Sequence, residues 1–185
     1  MVIGFEFIMY ALVFVIILSF ASSGIKVLPP FNQAVYLRLN KFVRVLHPGV
    51  NFITPWVNKI VKMDMRTQTV DVHGQELIIK GNNRVSVGAV VFIKIKDPRS
   101  AYFEVKDYYA ATVDLAKGNI SAIIGYMDFE NILATRESIN AKLKDSMGET
   151  MAKWGIEVEF VALREVSFLF KTEKPKDDVI LDNRQ

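Results

Sequence analysis

The sequence predicts an α+β protein, with an N-terminal transmembrane helix ahead of a mainly antiparallel sheet and its covering helices. Three observations carry this prediction. Residues 2–20 form one apolar run in which Glu6 is the only charge. Residues 25–95 alternate apolar and polar side chains with period two, broken by Pro, Gly and Asn. Residues 107–154 switch to apolar spacings of three and four, and a last alternating stretch follows Gly155. Strands, then helices, then a strand is the order of an α+β domain and not of alternating βα units.

The first element is the apolar run. Thirteen of the 19 residues from Val2 to Phe20 are Val, Ile, Leu or Phe. As a helix, this stretch measures about 29 Å, the thickness of a hydrocarbon core. Its side chains favour insertion by about 4–8 kcal/mol, against a penalty of up to about 3 kcal/mol for Glu6. Phe7, Leu12, Phe14, Ile17 and Phe20 are the predicted lipid-facing anchors. No Lys or Arg precedes the run, unlike a cleaved signal peptide, although Ala21-Ser22-Ser23-Gly24 offers small residues for a peptidase. An uncleaved anchor over residues 1–22 is therefore predicted, with an exported domain cut near Ala21 as the alternative. The basic residues follow the run, so the positive-inside rule puts the domain on the cytoplasmic side of a single-pass membrane protein.

The strands come next. Ile25 and Val27 begin a short one that Pro29-Pro30 stops, and "QAVYLRL" predicts a half-buried strand with Val35, Leu37 and Leu39 on one face. Asn40-Lys41 turns the chain into "FVRVL", and His47-Pro48-Gly49 is a loop. "IVKMDMRTQTVDV" reads as one strand, with Val61, Met63 and Met65 on its apolar side. "ELIIKGNNRVSVGAVVFIKI" reads as a hairpin turning at Gly81-Asn82-Asn83, with Val85, Val87, Ala89, Val91, Ile93 and Ile95 on one face. Asp97-Pro98 ends it.

Asp107 is the predicted cap of a helix whose stripe is Tyr109, Val113, Ala116, Ile120, Ile123 and Met127. A short turn, "DFENIL", leads to a helix over about Thr135–Trp154, with Ile139, Leu143, Met147 and Met151 on one face and Gly155 as its stop. In the last strand, Ile156, Val158, Phe160 and Ala162 are predicted to alternate with Glu157, Glu159 and Val161. The folded domain is thus expected over 23–168, followed by a flexible polar tail over 169–185.

Composition excludes several chemistries. The 185 residues include no Cys and two His, which rules out disulfides, thiol nucleophiles and thiolate metal sites, and no carboxylates are arranged to complete a His-based one. No cofactor motif is present. Seven basic residues (Lys26, Arg38, Lys41, Arg44, Lys59, Lys62 and Arg66) face one acid, Asp64, between positions 26 and 66. The first six form the predicted surface for anionic lipid, with Trp56 as an interfacial aromatic. No nucleic-acid-binding motif accompanies them, so nucleic acid is not an expected partner. Ser23 and Lys26 match an S-x-x-K nucleophile pair, but no oxyanion arrangement accompanies them. Glu157 and Glu159 are read as a solvated face and not as an acid–base pair, and His47 as a loop residue.

The pieces resemble a known family. "RLNKFVR", "HPGVNFITPW", "KMDMRTQTVDV" and "NRVSVGAVVFIKIKDP" follow the apolar run in the order of a stomatin-like band 7 (SPFH, prohibitin-homology) domain. "ATVDLAKGNISAIIGYMDFENILATRESINAKLKDSMGETMAKWGIEVEFVALREV" is similar to the helices and closing strand of that family. The resemblance covers residues 1–166 and departs at Asn40, where the family favours Gly, and at Ser121, where it often has Arg. No heptad pattern follows Val166, where the family usually continues into a coiled coil. The resemblance implies a curved, mainly antiparallel sheet packed on two or three helices. It also implies a non-enzymatic scaffold that self-associates on a lipid bilayer and organises other membrane proteins, such as a channel, transporter or protease. The alternative is a regulatory or catalytic component of a membrane protease system.

Overall fold

The computed structural model describes residues 24–53 and 58–168, together with Met9, Tyr10, Leu12, Phe14 and Val15. Its strands form three antiparallel sheets rather than one. The first is a two-stranded ribbon of β1 (Ile25–Leu28) and β4 (Gly49–Phe52). The second has the order β3-β2-β5, from β2 (Asn32–Arg38), β3 (Lys41–Leu46) and β5 (Asn58–Asp64). The third has the order β6-β7-β8, from β6 (Gln68–Ile79), β7 (Asn83–Ile95) and β8 (Ile156–Phe168).

The predicted single strand over 60–72 is divided. β5 ends at Asp64 in the second sheet, and β6 begins at Gln68 in the third. Asp64 makes the corner: it accepts the Arg66 backbone N–H at 2.9 Å and the Arg66 guanidinium on both oxygens. That anion holds the corner only while ionised, and the Arg66 hydrogen bonds lower its pKa from 3.8 to about 2.

β2 is buried on both faces, not one: Ala34, Val35, Tyr36 and Leu37 are all inaccessible. Ala34 and Tyr36 pack with Leu28 and Leu46 beneath the ribbon. On the other face, Phe42 of β3 meets Phe103 edge-on at 5.9 Å. Leu39, expected inside, instead sits with Asn40 at the hairpin tip, at φ 50° and 60°. Positive φ at both central residues matches the twist of the flanking strands, and Asn tolerates it better than Leu.

The main core lies on one face of the third sheet. Val85, Val87, Ala89, Val91, Ile93 and Ile95 supply it from β7, as the alternation predicts. Four helices follow: α1 (Pro98–Phe103), α2 (Tyr108–Ile124), α3 (Phe129–Ala134) and α4 (Arg136–Lys153). Asp97 and Asp107 cap α1 and α2 through the N–H groups of the first turn. The segment "DFENIL", expected as a turn, forms α3. Ile139, Leu143, Met147 and Met151 of α4 are fully buried, each stabilising by about 1.5–3 kcal/mol. Thr135 occupies the cap position of α4, but its hydroxyl donates to Asn131 O at 2.7 Å and does not cap the helix.

Two predicted faces are corrected. In α2 the buried stripe is Thr112, Ala116, Ile120 and Ile124. Tyr109 stays half-exposed because its hydroxyl reaches the Thr69 carbonyl, and Thr112 satisfies its own hydroxyl on Tyr108 O at 2.6 Å. In β8 a bulge at Glu159 breaks the alternation: Val158 faces Ile93, while Phe160 faces Phe92. One extra residue moves the following side chains to the opposite face, until a second register shift opposite Gly88 restores the parity before Val166. Val161 and Leu163 therefore enter the core, and Phe160 is exposed.

The predicted anchor over 1–22 lies largely outside the described residues, including Phe7, Ile17 and Phe20. Leu12 and Phe14 are helical and exposed. Among the described residues, no helix is long and apolar enough to cross a membrane. Trp56, Ser23 and the tail over 169–185 also lie outside them.

Candidate membrane-facing surface

The ribbon and the second sheet place the predicted surface residues. Alternation along β1 turns Ile25 and Val27 to one side and Lys26 and Leu28 to the other. Pairing of Ile25 with Phe52 and of Val27 with Val50 puts four apolar side chains on one face. They are 46%, 67%, 73% and 63% exposed for Ile25, Val27, Phe52 and Val50. The other face carries Leu28, buried against β2 and β3. One side of this ribbon is therefore core, and the other is an apolar plate left uncovered among the described residues, beginning five positions after residues 2–20 in the sequence.

The six predicted basic residues do not form one face. Register places Arg38, Lys41, Arg44 and Lys62 on the sheet face of Ala34 and Tyr36, over which the ribbon lies. Lys59 stands opposite Leu37 and so points to the other face. Lys26 belongs to the ribbon, opposite Asn51. Arg44 donates to Phe52 O at 3.2 Å, tying the sheet to the ribbon's outer strand. Lys41 directly faces Arg38 at the hairpin end. Two like charges held there repel each other unless an anion lies between them.

The ribbon plate itself is absent from the sequence-based site. Its signal is weak but present, since "IKV" and "VNF" each alternate. Only the pairing of two segments that lie more than 20 positions apart brings their apolar halves together.

Other expected features sit elsewhere. Glu157 pairs with Lys96 at 3.0 Å and Glu159 with Lys94 at 3.8 Å, each on an exposed surface. Glu159 also accepts the Thr67 hydroxyl at 2.8 Å, which fastens the β5–β6 corner to β8. His47 lies in the β3–β4 loop, where its carbonyl accepts from Asn51 Nδ2 at 2.8 Å. Met63 is core, and Met65 packs against it. Among the described residues, no three His, Asp or Glu gather to hold a metal ion.

Comparison with known proteins agrees with this architecture. Residues 26–174 match the SPFH domain / Band 7 family. A stomatin homologue of Pyrococcus abyssi is 34% identical over 166 residues, covering 90% of this chain and 62% of the homologue. Stomatin-1 of Caenorhabditis elegans is 34% identical over 158 residues, covering 85% of this chain and 48% of that protein. An uncharacterised protein of Methanothermobacter thermautotrophicus is 36% identical over 159 residues, covering 86% of this chain and 50% of its own length. The chain thus spans about half to three-fifths of the length of these relatives.

Proposed function

The chain belongs to the SPFH domain / Band 7 family, and from that membership we propose that it is a non-enzymatic membrane scaffold that self-associates and organises other membrane proteins. The observation that carries this reading is the uncovered plate of Ile25, Val27, Val50 and Phe52. In water such a plate is a liability, whereas against acyl chains its area is removed from solvent at about 25 cal/mol per Å². The apolar run of residues 2–20 serves as the anchor and delivers the plate to the bilayer. Lys26, Arg38, Lys41 and Arg44 then meet anionic headgroups, each adding about 1 kcal/mol near the surface. Phosphate between Lys41 and Arg38 relieves their mutual repulsion. Trp56 serves as an interfacial anchor. The helices and the third sheet remain in water on the cytoplasmic side and present surfaces to other copies and partners.

The test is carbonate extraction followed by amine cross-linking of the full chain in its own membranes. The reading predicts a chain that resists carbonate and cross-links into a ladder of oligomers. A chain released by carbonate and cross-linked only as a monomer contradicts it.

A further inference from the structure

We propose that the open edge of β5 takes an extended acidic peptide of a partner protein as a fourth strand of the second sheet. This names a partner chemistry for the scaffold reading and rests on it for its biological sense, but not for its geometry. β5 is an edge strand, with β2 on its other side. The Met65 N–H donates to Phe31 O at 2.9 Å, so the facing pair Asp64–Asn32 exchanges no bonds and Asp64 turns its own N–H and C=O outward. Gln68 Nε2 takes up that outward carbonyl at 2.9 Å and closes the edge at this end. The β2–β5 register is unbroken, so the N–H and C=O of Lys62 and Ile60 also point outward. Among the described residues, nothing bonds to them.

A cavity of about 440 Å³ opens beside this edge. Val61, Lys62 and Met63 of β5 line it, together with Ala101, Val105 and Lys106 from the α1 region. An added strand brings every second side chain to this face, so one apolar residue enters the cavity and its neighbours two positions away flank it. The charge beside it is positive: Lys59 lies on the same face as Val61, and Lys106 lines the cavity. Neither has an acidic partner among the described residues, whereas Lys80, Lys94 and Lys96 all do. The occupant this edge selects is an extended segment with one apolar residue between acidic ones. Lysines on an edge also deter unspecific pairing, and an acidic strand turns that guard into an attraction.

The probe is a fluorescein-labelled peptide, Glu-Asp-Glu-Thr-Val-Thr-Glu-Asp-Glu, whose central Val has Glu two positions away on either side, titrated against the full chain in detergent micelles and read by anisotropy. Saturable binding that weakens with salt, and no binding of the same peptide with Lys in place of its acids, is the expected result. Two variants at one position separate backbone from charge. Lys62→Gln keeps the outward N–H, while Lys62→Pro removes it at a site where an edge strand tolerates proline. Lys62→Pro is expected to bind about tenfold more weakly than Lys62→Gln, the effect of about one lost hydrogen bond. Circular dichroism of both variants confirms that the fold is retained. Equal binding by the two variants, or no binding by the parent chain, overturns the proposal. No bilayer is present in this titration, so its failure leaves the membrane reading standing, and failure of carbonate resistance leaves the titration meaningful.

Discussion

Gly155 closes α4 at φ 70°, and a Cβ added there would lie 2.7 Å from Asp97 O and 2.9 Å from Asp97 Cβ. Both Lys96 and Asp97 donate their backbone N–H to Gly155 O, so the turn, the cap of α1 and the end of β7 share one small volume. Gly155→Ala is therefore expected to lower unfolding stability by about 2 kcal/mol or more, read as a fall in the urea midpoint. The stop at Gly155 was legible in the sequence, but its contact with Asp97 was not, because the two lie 58 positions apart. Asp64 gives the second residue-scale expectation. Its folded pKa is about 2, below the ordinary 3.8, chiefly through the side-chain hydrogen bond from Arg66 and then through the Arg66 backbone N–H. The sign follows from linkage: the contribution is fully present above 3.8 and is lost as pH falls from there toward 2. A carboxyl-carbon NMR titration of Asp64 should show a midpoint near 2. In Arg66→Ala it should move up toward 3.8 without reaching it, since the backbone donor remains. Unchanged titration in that variant would sink this account of the corner.

At the scale of elements, period-two and period-3.6 patterns located most strands and the two long helices, because each buries a continuous face; β4, short and mostly exposed, was not among them. They failed where an element changes partner. The alternation of β5 runs unbroken into β6, and nothing in "KMDMRTQ" announces that a sheet ends; the Asp64–Arg66 corner does that through side-chain bonds. β8 fails in the opposite sense, since its written alternation is regular while the bulge at Glu159 reverses it. The three-dimensional reason is that Val161 and Leu163 fit the core beneath α4, whereas Phe160 stacks on Phe92 at 6.2 Å on the open face. Deleting Glu159 leaves a plain ladder in which Phe160 stays opposite Phe92 and Val161 stays in the core, while Thr67 and Lys94 lose their partner. The expected outcome is a thermal transition that stays cooperative, with its midpoint lowered. A deletion variant without a cooperative transition would contradict this reading of the bulge.

At the scale of the whole molecule, the fold joins an apolar-faced ribbon, a sheet whose central strand is buried on both sides, and the helix-covered main core. In the proposed reading, that order directs the ribbon toward a bilayer. The sequence showed the apolar run and the basic stretch, yet not the plate between them, because a plate exists only after two distant strands pair. The basic residues were legible as a group by count, while their division between two sheet faces depends on register. The central claim is that the ribbon plate enters the lipid, and the Cys-free chain permits a direct reading of it. A single cysteine at Val27→Cys, labelled with a polarity-sensitive dye, is compared with Glu149→Cys on the exposed side of α4. Both full-length chains are reconstituted into vesicles of anionic and neutral lipid, with a quencher carried on the upper acyl chain. The account predicts a blue-shifted Val27 probe quenched by the lipid, beside a Glu149 probe that retains its spectrum in water. A Val27 probe as water-exposed and unquenched as the Glu149 probe would contradict it.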